Sequence, residues 1–168
     1  MPPLRFAGVE SFLGPMLVAQ TDLGIAAVSR ADALDAFLAA LRRRFPGDAL
    51  LPGDVDASWL IEALAGAGEL APPIDTRGLS AFDARAYDVV RSIPRGSTLT
   101  YGEVAALIGS TGAARAVGGA MSRCPLFPAV PCHRVVRAAD GWSGWGGDSE
   151  FKRRLLRLER RARLEDAG

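Results

Sequence analysis

Val130-Pro131-Cys132-His133-Arg134-Val135 is the stretch on which the reading of this chain turns. It holds the only histidine in 168 residues and one of two cysteines, side by side. A free thiol with a pKa of ~8.5 is mostly protonated at neutral pH, and a neighbouring imidazole is a common means of activating it. Pro131 fixes the backbone before the cysteine, and Val130, Val135 and Val136 predict a short buried strand around it. Neighbouring side chains of an extended strand point to opposite faces, so a bridging water or a local bend is expected to couple the pair. In isolation, a buried cysteine beside a histidine is more often inert than reactive. The sequence on either side decides between the two.

A chain of this length makes one ordinary domain, or one domain with a small appendage. Hydrophobic content of 49% and charged content of 23% are those of a soluble globular protein. No apolar run reaches the ~18 residues that a membrane span needs, and no secretory leader is evident. Two cysteines cannot build a disulfide framework, which predicts a reducing, cytoplasmic setting. Cys124, Cys132 and His133 are too few soft or imidazole donors for a zinc site, so no metal is expected. The net charge of +1 conceals an asymmetry. Residues 1–78 carry six Lys and Arg against ten Asp and Glu, a balance of −4; residues 79–168 carry fourteen against nine, a balance of +5. A basic half beside an acidic one points to a polyanionic partner for the second half.

The first half, residues 1–78, reads as an α/β (α+β) scaffold. Leu4 to Phe12, Met16 to Gln20 and Gly24 to Ser29 are three short strands joined by Gly14-Pro15 and Asp22-Leu23-Gly24, an antiparallel meander. A helix over Ala31 to Phe45 turns Leu34, Phe37, Leu38 and Leu41 inward and ends at Pro46-Gly47. Ser58 to Ala67 predicts a second helix, and Ile74 to Arg77 one more strand. Nothing here carries chemistry.

The second half, residues 79–168, reads as mostly helical. Ser80 to Ser92 is amphipathic, and Ile93-Pro94-Arg95-Gly96 turns the chain. Thr100 with Glu103 forms a capping box that starts a helix, which Gly109 stops. Gly112 to Arg123 makes a second helix, completing a helix-turn-helix pattern. On it, Ala113, Ala116, Val117, Ala120 and Met121 form the expected buried face, while Arg115, Gly118, Gly119 and Ser122 share the other. Glycine within a helix costs up to ~1 kcal/mol relative to alanine. Close helix packing could explain two of them, but not an arginine among them; a narrow nucleic-acid groove with Arg115 reaching inside fits better. The Gly/Trp loop Gly141-Trp142-Ser143-Gly144-Trp145-Gly146-Gly147 predicts a pocket wall, and a helix capped by Asp148 or Ser149 follows to about Leu164.

These residues resemble the 6-O-alkylguanine-DNA alkyltransferases, the methylated-DNA–protein-cysteine methyltransferases. The motifs are Ile93-Pro94-Arg95-Gly96, Thr100-Tyr101-Gly102-Glu103-Val104-Ala105, Ala114-Arg115-Ala116-Val117-Gly118-Gly119-Ala120-Met121, the Cys132 stretch, and Lys152 with Leu155-Leu156 and Glu159. The first half resembles the family only in its layout and in Leu41-Arg42-Arg43-Arg44-Phe45-Pro46.

The resemblance implies an irreversible, single-turnover transfer of an alkyl group from the exocyclic oxygen of guanine in duplex DNA to Cys132. It implies that His133 takes the thiol proton through a water and that Glu159 orients His133. Tyr101 would push the target phosphate and give a proton toward the leaving guanine. Arg115 would fill the space left by the flipped nucleotide. Gly118, Gly119, Ser122 and Arg134 would lie at the DNA, and Cys132, Val135, Trp145 and Gly146 would hold the flipped base. Extruding a base costs a few kcal/mol, and the chemistry needs no cofactor. The partner would be double-stranded DNA containing alkylated guanine, met by a monomer in the cytoplasm or on the nucleoid. Two departures stand out: Cys124 replaces a usual asparagine, and Tyr87 a usual tryptophan. The zinc ligands that some relatives carry in the first domain are missing.

Three other readings compete. A non-repairing alkylguanine sensor of the same fold would lack Cys132. A major-groove regulator would present more than Gly118, Gly119 and Ser122 to base edges. A cysteine hydrolase would need an orienting amide and an oxyanion hole that the sequence does not suggest.

Overall fold

The computed structural model describes residues 3–11, 13–67, 71–141 and 149–167. Strands β1 (Leu4–Ser11), β2 (Gly14–Thr21) and β3 (Gly24–Arg30) form the expected antiparallel meander. Gly24 opens the second hairpin at φ 136°, with the Pro73 carbonyl pressed where a Cβ would stand. Strand β4 (Leu50–Pro52) adds to the sheet in parallel with β1, so the order is β3-β2-β1-β4 and the sheet has four strands rather than three. Three residues ending in proline show no alternation to read, which is why this strand is silent in the sequence. The expected strand over residues 74–77 contributes one bridge, Ile74 to Ile25.

Helix α1 (Leu34–Arg44) follows a 3-10 turn at Ala31–Ala33 and buries Phe37 and Leu41 against Leu4, Leu17 and Ala19 of the sheet. Leu34, expected inward, is exposed at the helix start. Helix α2 (Ser58–Leu64) turns Trp59, Leu60 and Leu64 into the main core. That core continues through Tyr87, Val90, Val104, Met121, Leu126 and Val130, so apolar packing crosses the boundary expected at residue 78.

The second half begins with α3 (Ala81–Arg91), whose Ser80 hydroxyl accepts the Asp83 N–H. Strand β5 (Leu99–Thr100) leads into α4 (Tyr101–Ile108) through the predicted capping box: Thr100 Oγ1 accepts from Glu103 N–H, and the Glu103 carboxylate accepts from Thr100 N–H. Gly109 ends α4 in the left-handed region. Helix α5 (Ala114–Arg123) buries Val117, Ala120 and Met121, but Ala116 is exposed, so the buried stripe is narrower than expected.

The chain around Cys132 departs most from expectation. Cys132–Arg134 is a single 3-10 turn, and only Val135–Val136 (β6) is a strand, paired in parallel with β5. The Arg134 N–H bonds the Pro131 carbonyl and the Val135 N–H the Cys132 carbonyl, so local turn bonds replace the ladder. Helix α6 (Ser149–Ala167) closes the fold, with Leu155 and Leu156 buried. Among the described residues no helix is long and apolar enough to cross a membrane.

Candidate active site

Cys132 is fully buried, and its Sγ donates to the Val130 carbonyl at 3.2 Å. Burial pushes this thiol well above its ordinary pKa, the adjacent Cys124 thiol adds to the rise, and Lys152 works against it. The resting residue is a thiol.

His133 is buried on the same turn, with Nε2 2.8 Å from Glu159 Oε1. Burial lowers the imidazole pKa against the raising pull of Glu159. Burial would raise the Glu159 carboxyl, but hydrogen bonds from His133 and Arg134 outweigh it and bring it down to about 2. An ionised carboxylate only accepts, so the neutral imidazole places its proton on Nε2 and its lone pair on Nδ1. Nδ1 is buried and has no hydrogen-bond partner among the described residues. A base with a free lone pair on the residue after a nucleophile can activate it directly or through one water.

Arg134, expected at the DNA, is turned inward. Its Nε donates to Glu159 Oε2 at 2.9 Å, its Nη2 to Oε1 at 2.8 Å and its Nη1 to the Ile93 carbonyl at 2.8 Å. The 3-10 turn is the reason: it puts residues 133 and 134 together on the α6 side, where a strand would have separated them.

Lys152 had no role assigned from sequence beyond its place in a motif. It is buried, with Nζ 5.8 Å from the Phe127 ring centroid, and Phe127 stands edge-on to His133 at 5.6 Å. A signal was present: Lys152, Leu155, Leu156 and Glu159 share one face at i, i+3, i+4 and i+7, so two charged residues occupy core positions of α6.

The helix-turn-helix lies beside this site. Tyr101 is the first residue of α4 and is half-buried. Arg115 and Ser122 are exposed on α5. Among the described residues, a Cβ on Gly118 would meet nothing beyond its own helix backbone, whereas one on Gly119 would press on the Arg123 guanidinium, itself paired with Asp83. Packing among the described residues therefore does not explain Gly118. From α5 the chain passes Cys124-Pro125, whose Pro125 carbonyl accepts the Val28 N–H of β3, so the first-half sheet holds the loop before the cysteine. Val135 is buried beside Cys132, and Trp145 and Gly146 lie outside the described residues.

Residues 81–161 match the family model of the 6-O-methylguanine DNA methyltransferase DNA-binding domain. A methylated-DNA–protein-cysteine methyltransferase of Methanothermobacter thermautotrophicus is 48% identical over 86 residues, 51% of this chain and 48% of the relative. One from Mycolicibacterium paratuberculosis is 47% identical over 98 residues, 56% of this chain and 59% of the relative. The chain thus spans about half the length of the curated relatives it matches. Solved structures match along nearly the whole chain. The Mycobacterium tuberculosis O6-methylguanine methyltransferase superposes with a TM-score of 0.72 at 30% identity, covering 96% of this chain and 94% of that one. The same organism's OGT in complex with DNA gives 0.75 at 29% identity, with 94% of each chain covered. With motifs, site and fold in agreement over this length, the chain belongs to the O6-methylguanine-DNA methyltransferase family, the methylated-DNA–protein-cysteine methyltransferases.

Proposed function

We propose that this chain repairs alkylated guanine in duplex DNA by taking the alkyl group onto Cys132, once per molecule and without a cofactor. The observation that carries the reading is the buried Nδ1 of His133, the residue after Cys132, unpartnered among the described residues while Nε2 is held by Glu159.

The step balances as a displacement. The Cys132 thiol proton passes through a water to His133 Nδ1, and the imidazolium that forms is stabilised by Glu159. The sulfur attacks the alkyl carbon, the new S–C bond forms as the C–O bond to guanine breaks, and the departing oxygen's charge is taken up by a proton on the base, for which Tyr101 is the donor. The product thioether has no route back, so the protein is consumed.

The target carbon is out of reach inside a base stack, so the nucleotide must be extruded. Arg115 on the open face of α5 fills the gap, and Gly118, Gly119 and Ser122 allow the backbone to approach the minor groove. The bound form is a monomer, and the cytoplasm or nucleoid is its place. The Val135 backbone and the loop with Trp145 and Gly146 complete the base pocket.

Intact-mass measurement after mixing with duplex carrying O6-methylguanine tests this. One added methyl per chain, on Cys132, is expected, and Cys132→Ser should bind without gaining mass. Binding by the wild type with no mass gain would make the chain a sensor, and an added methyl on Cys124 would overturn the assignment of the nucleophile.

A further inference from the structure

Arg134 is placed where neither the reading of Cys132 as acceptor nor the DNA interface uses it. It is 8% exposed, on the turn that carries Cys132 and His133, and it grips both oxygens of Glu159. One of those oxygens, Oε1, also meets His133 Nε2 at 2.8 Å. The carboxylate is therefore shared between a guanidinium and an imidazole.

We propose that Arg134 is the positioning residue that keeps His133 a neutral base: by neutralising Glu159, it stops that carboxylate from holding His133 as an imidazolium. The inference rests on His133 being the base that activates Cys132. A protonated imidazole cannot accept the thiol proton, so a lone buried carboxylate at 2.8 Å would orient the base and disable it together. A nearby opposite charge raises a histidine's pKa by ~1–3 units. With Arg134 bidentate on Glu159, that pull is offset by a cation fixed in the same plane.

The other charges around His133 act consistently with this. Burial disfavours the imidazolium most; Glu159 favours it, while Arg134 from its own turn and Lys152 from α6 oppose that pull. Cys132 is a neutral thiol in the resting site. Arg134 is also fixed at its far end, through Nη1 to the Ile93 carbonyl, ahead of the turn that leads to β5 and Tyr101. Its place is thus set by three elements rather than by Glu159 alone. Lysine could supply the charge but could not span both carboxylate oxygens.

The chain's single histidine makes the test direct, since one imidazole gives one set of ring signals without assignment. Long-range 1H–15N spectra of the free protein across pH read both its tautomer and its protonation midpoint, independently of alkyl transfer. Wild type should show the neutral Nε2–H form at neutral pH. Arg134→Gln, which keeps a donor but loses the charge, should move the midpoint up by ~1–3 units. Arg134→Lys should move it up by less. Equal midpoints in the three proteins would overturn the proposal and leave Arg134 a purely structural group. If Arg134→Gln does not fold, the Arg134→Lys midpoint decides alone, and an unmoved value overturns the proposal. A wild type that gains no mass from the O6-methylguanine duplex would instead reject the alkyl-acceptor reading while leaving these midpoints readable.

Discussion

The Tyr87 hydroxyl donates to the Ala120 carbonyl at 2.9 Å inside the core. The last four carbonyls of a helix have no partner within it, and Ala120 lies in the final turns of α5. At that end the Cys124 N–H reaches Met121 instead, so Tyr87 of α3 supplies the donor that Ala120 needs. Burial raises the phenol pKa, so the group stays a donor at all ordinary pH. Tyr87→Phe leaves the carbonyl buried and unsatisfied, at a cost of ~1–3 kcal/mol. A denaturant midpoint that does not fall would show that the carbonyl finds another donor.

Gly118 predicts two effects of opposite sign. Alanine there meets nothing among the described residues beyond its own helix and improves that helix by up to ~1 kcal/mol, so the melting temperature of Gly118→Ala should rise. The same methyl stands between the α5 backbone and the proposed groove, so affinity for duplex DNA should fall. Arg115→Ala should slow repair in duplex more than repair of the free alkylated base, because its proposed task is to support the extruded state. A more stable Gly118→Ala with unchanged affinity would remove this face from the interface.

Much of this arrangement could be read from local sequence because local rules govern it. Ser80, the Thr100–Glu103 capping box and Gly109 set helix boundaries through bonds that span at most a few residues. The meander followed from alternation and two glycine turns. What stayed hidden depends on long-range pairing: β4 on β1, and β5 on β6, are parallel matches of two or three residues with no periodicity to find. The valines flanking Cys132 suggested a strand, yet turn bonds from Pro131 and Cys132 prevailed, and on that turn Arg134, which the family resemblance placed at the DNA, faces Glu159. Ala116 was too small for its side of the helix to be inferred.

The buried relay predicts how stability depends on acid. His133 has a folded pKa below its ordinary 6.5, so its contribution is complete above that value and is lost as pH falls below it, where the unfolded chain binds a proton that the native site resists. Glu159, ordinarily 4.5 and lowered to about 2, adds a second loss between those two values. Unfolding free energy measured against pH should therefore decline first below 6.5 and again below 4.5. His133→Gln, which retains a donor toward Glu159, should lack the first decline. A curve flat from pH 7 to 5 in wild type would contradict the burial of a neutral imidazole.

Cys124 sets the remaining prediction, because it stands where relatives were expected to carry asparagine and because its thiol raises the pKa of Cys132. It also lines a cavity of about 330 Å³ with Ala27, Phe37, Leu41 and Pro125, away from the helix face proposed for DNA. A thiol is a weak hydrogen-bonding group, so it ties the end of α5 to the following loop less firmly than an amide would. Cys124→Asn removes the neighbouring thiol and supplies amide donors. The reactivity of Cys132 toward a small alkylating probe should then appear at lower pH, with alkyl transfer from duplex equal or faster and the melting temperature higher. Intact mass after probing confirms that the modified residue is Cys132. A pH profile that stays in place shows that burial alone sets the Cys132 thiol, and a large loss of transfer shows that the reaction uses the Cys124 thiol itself.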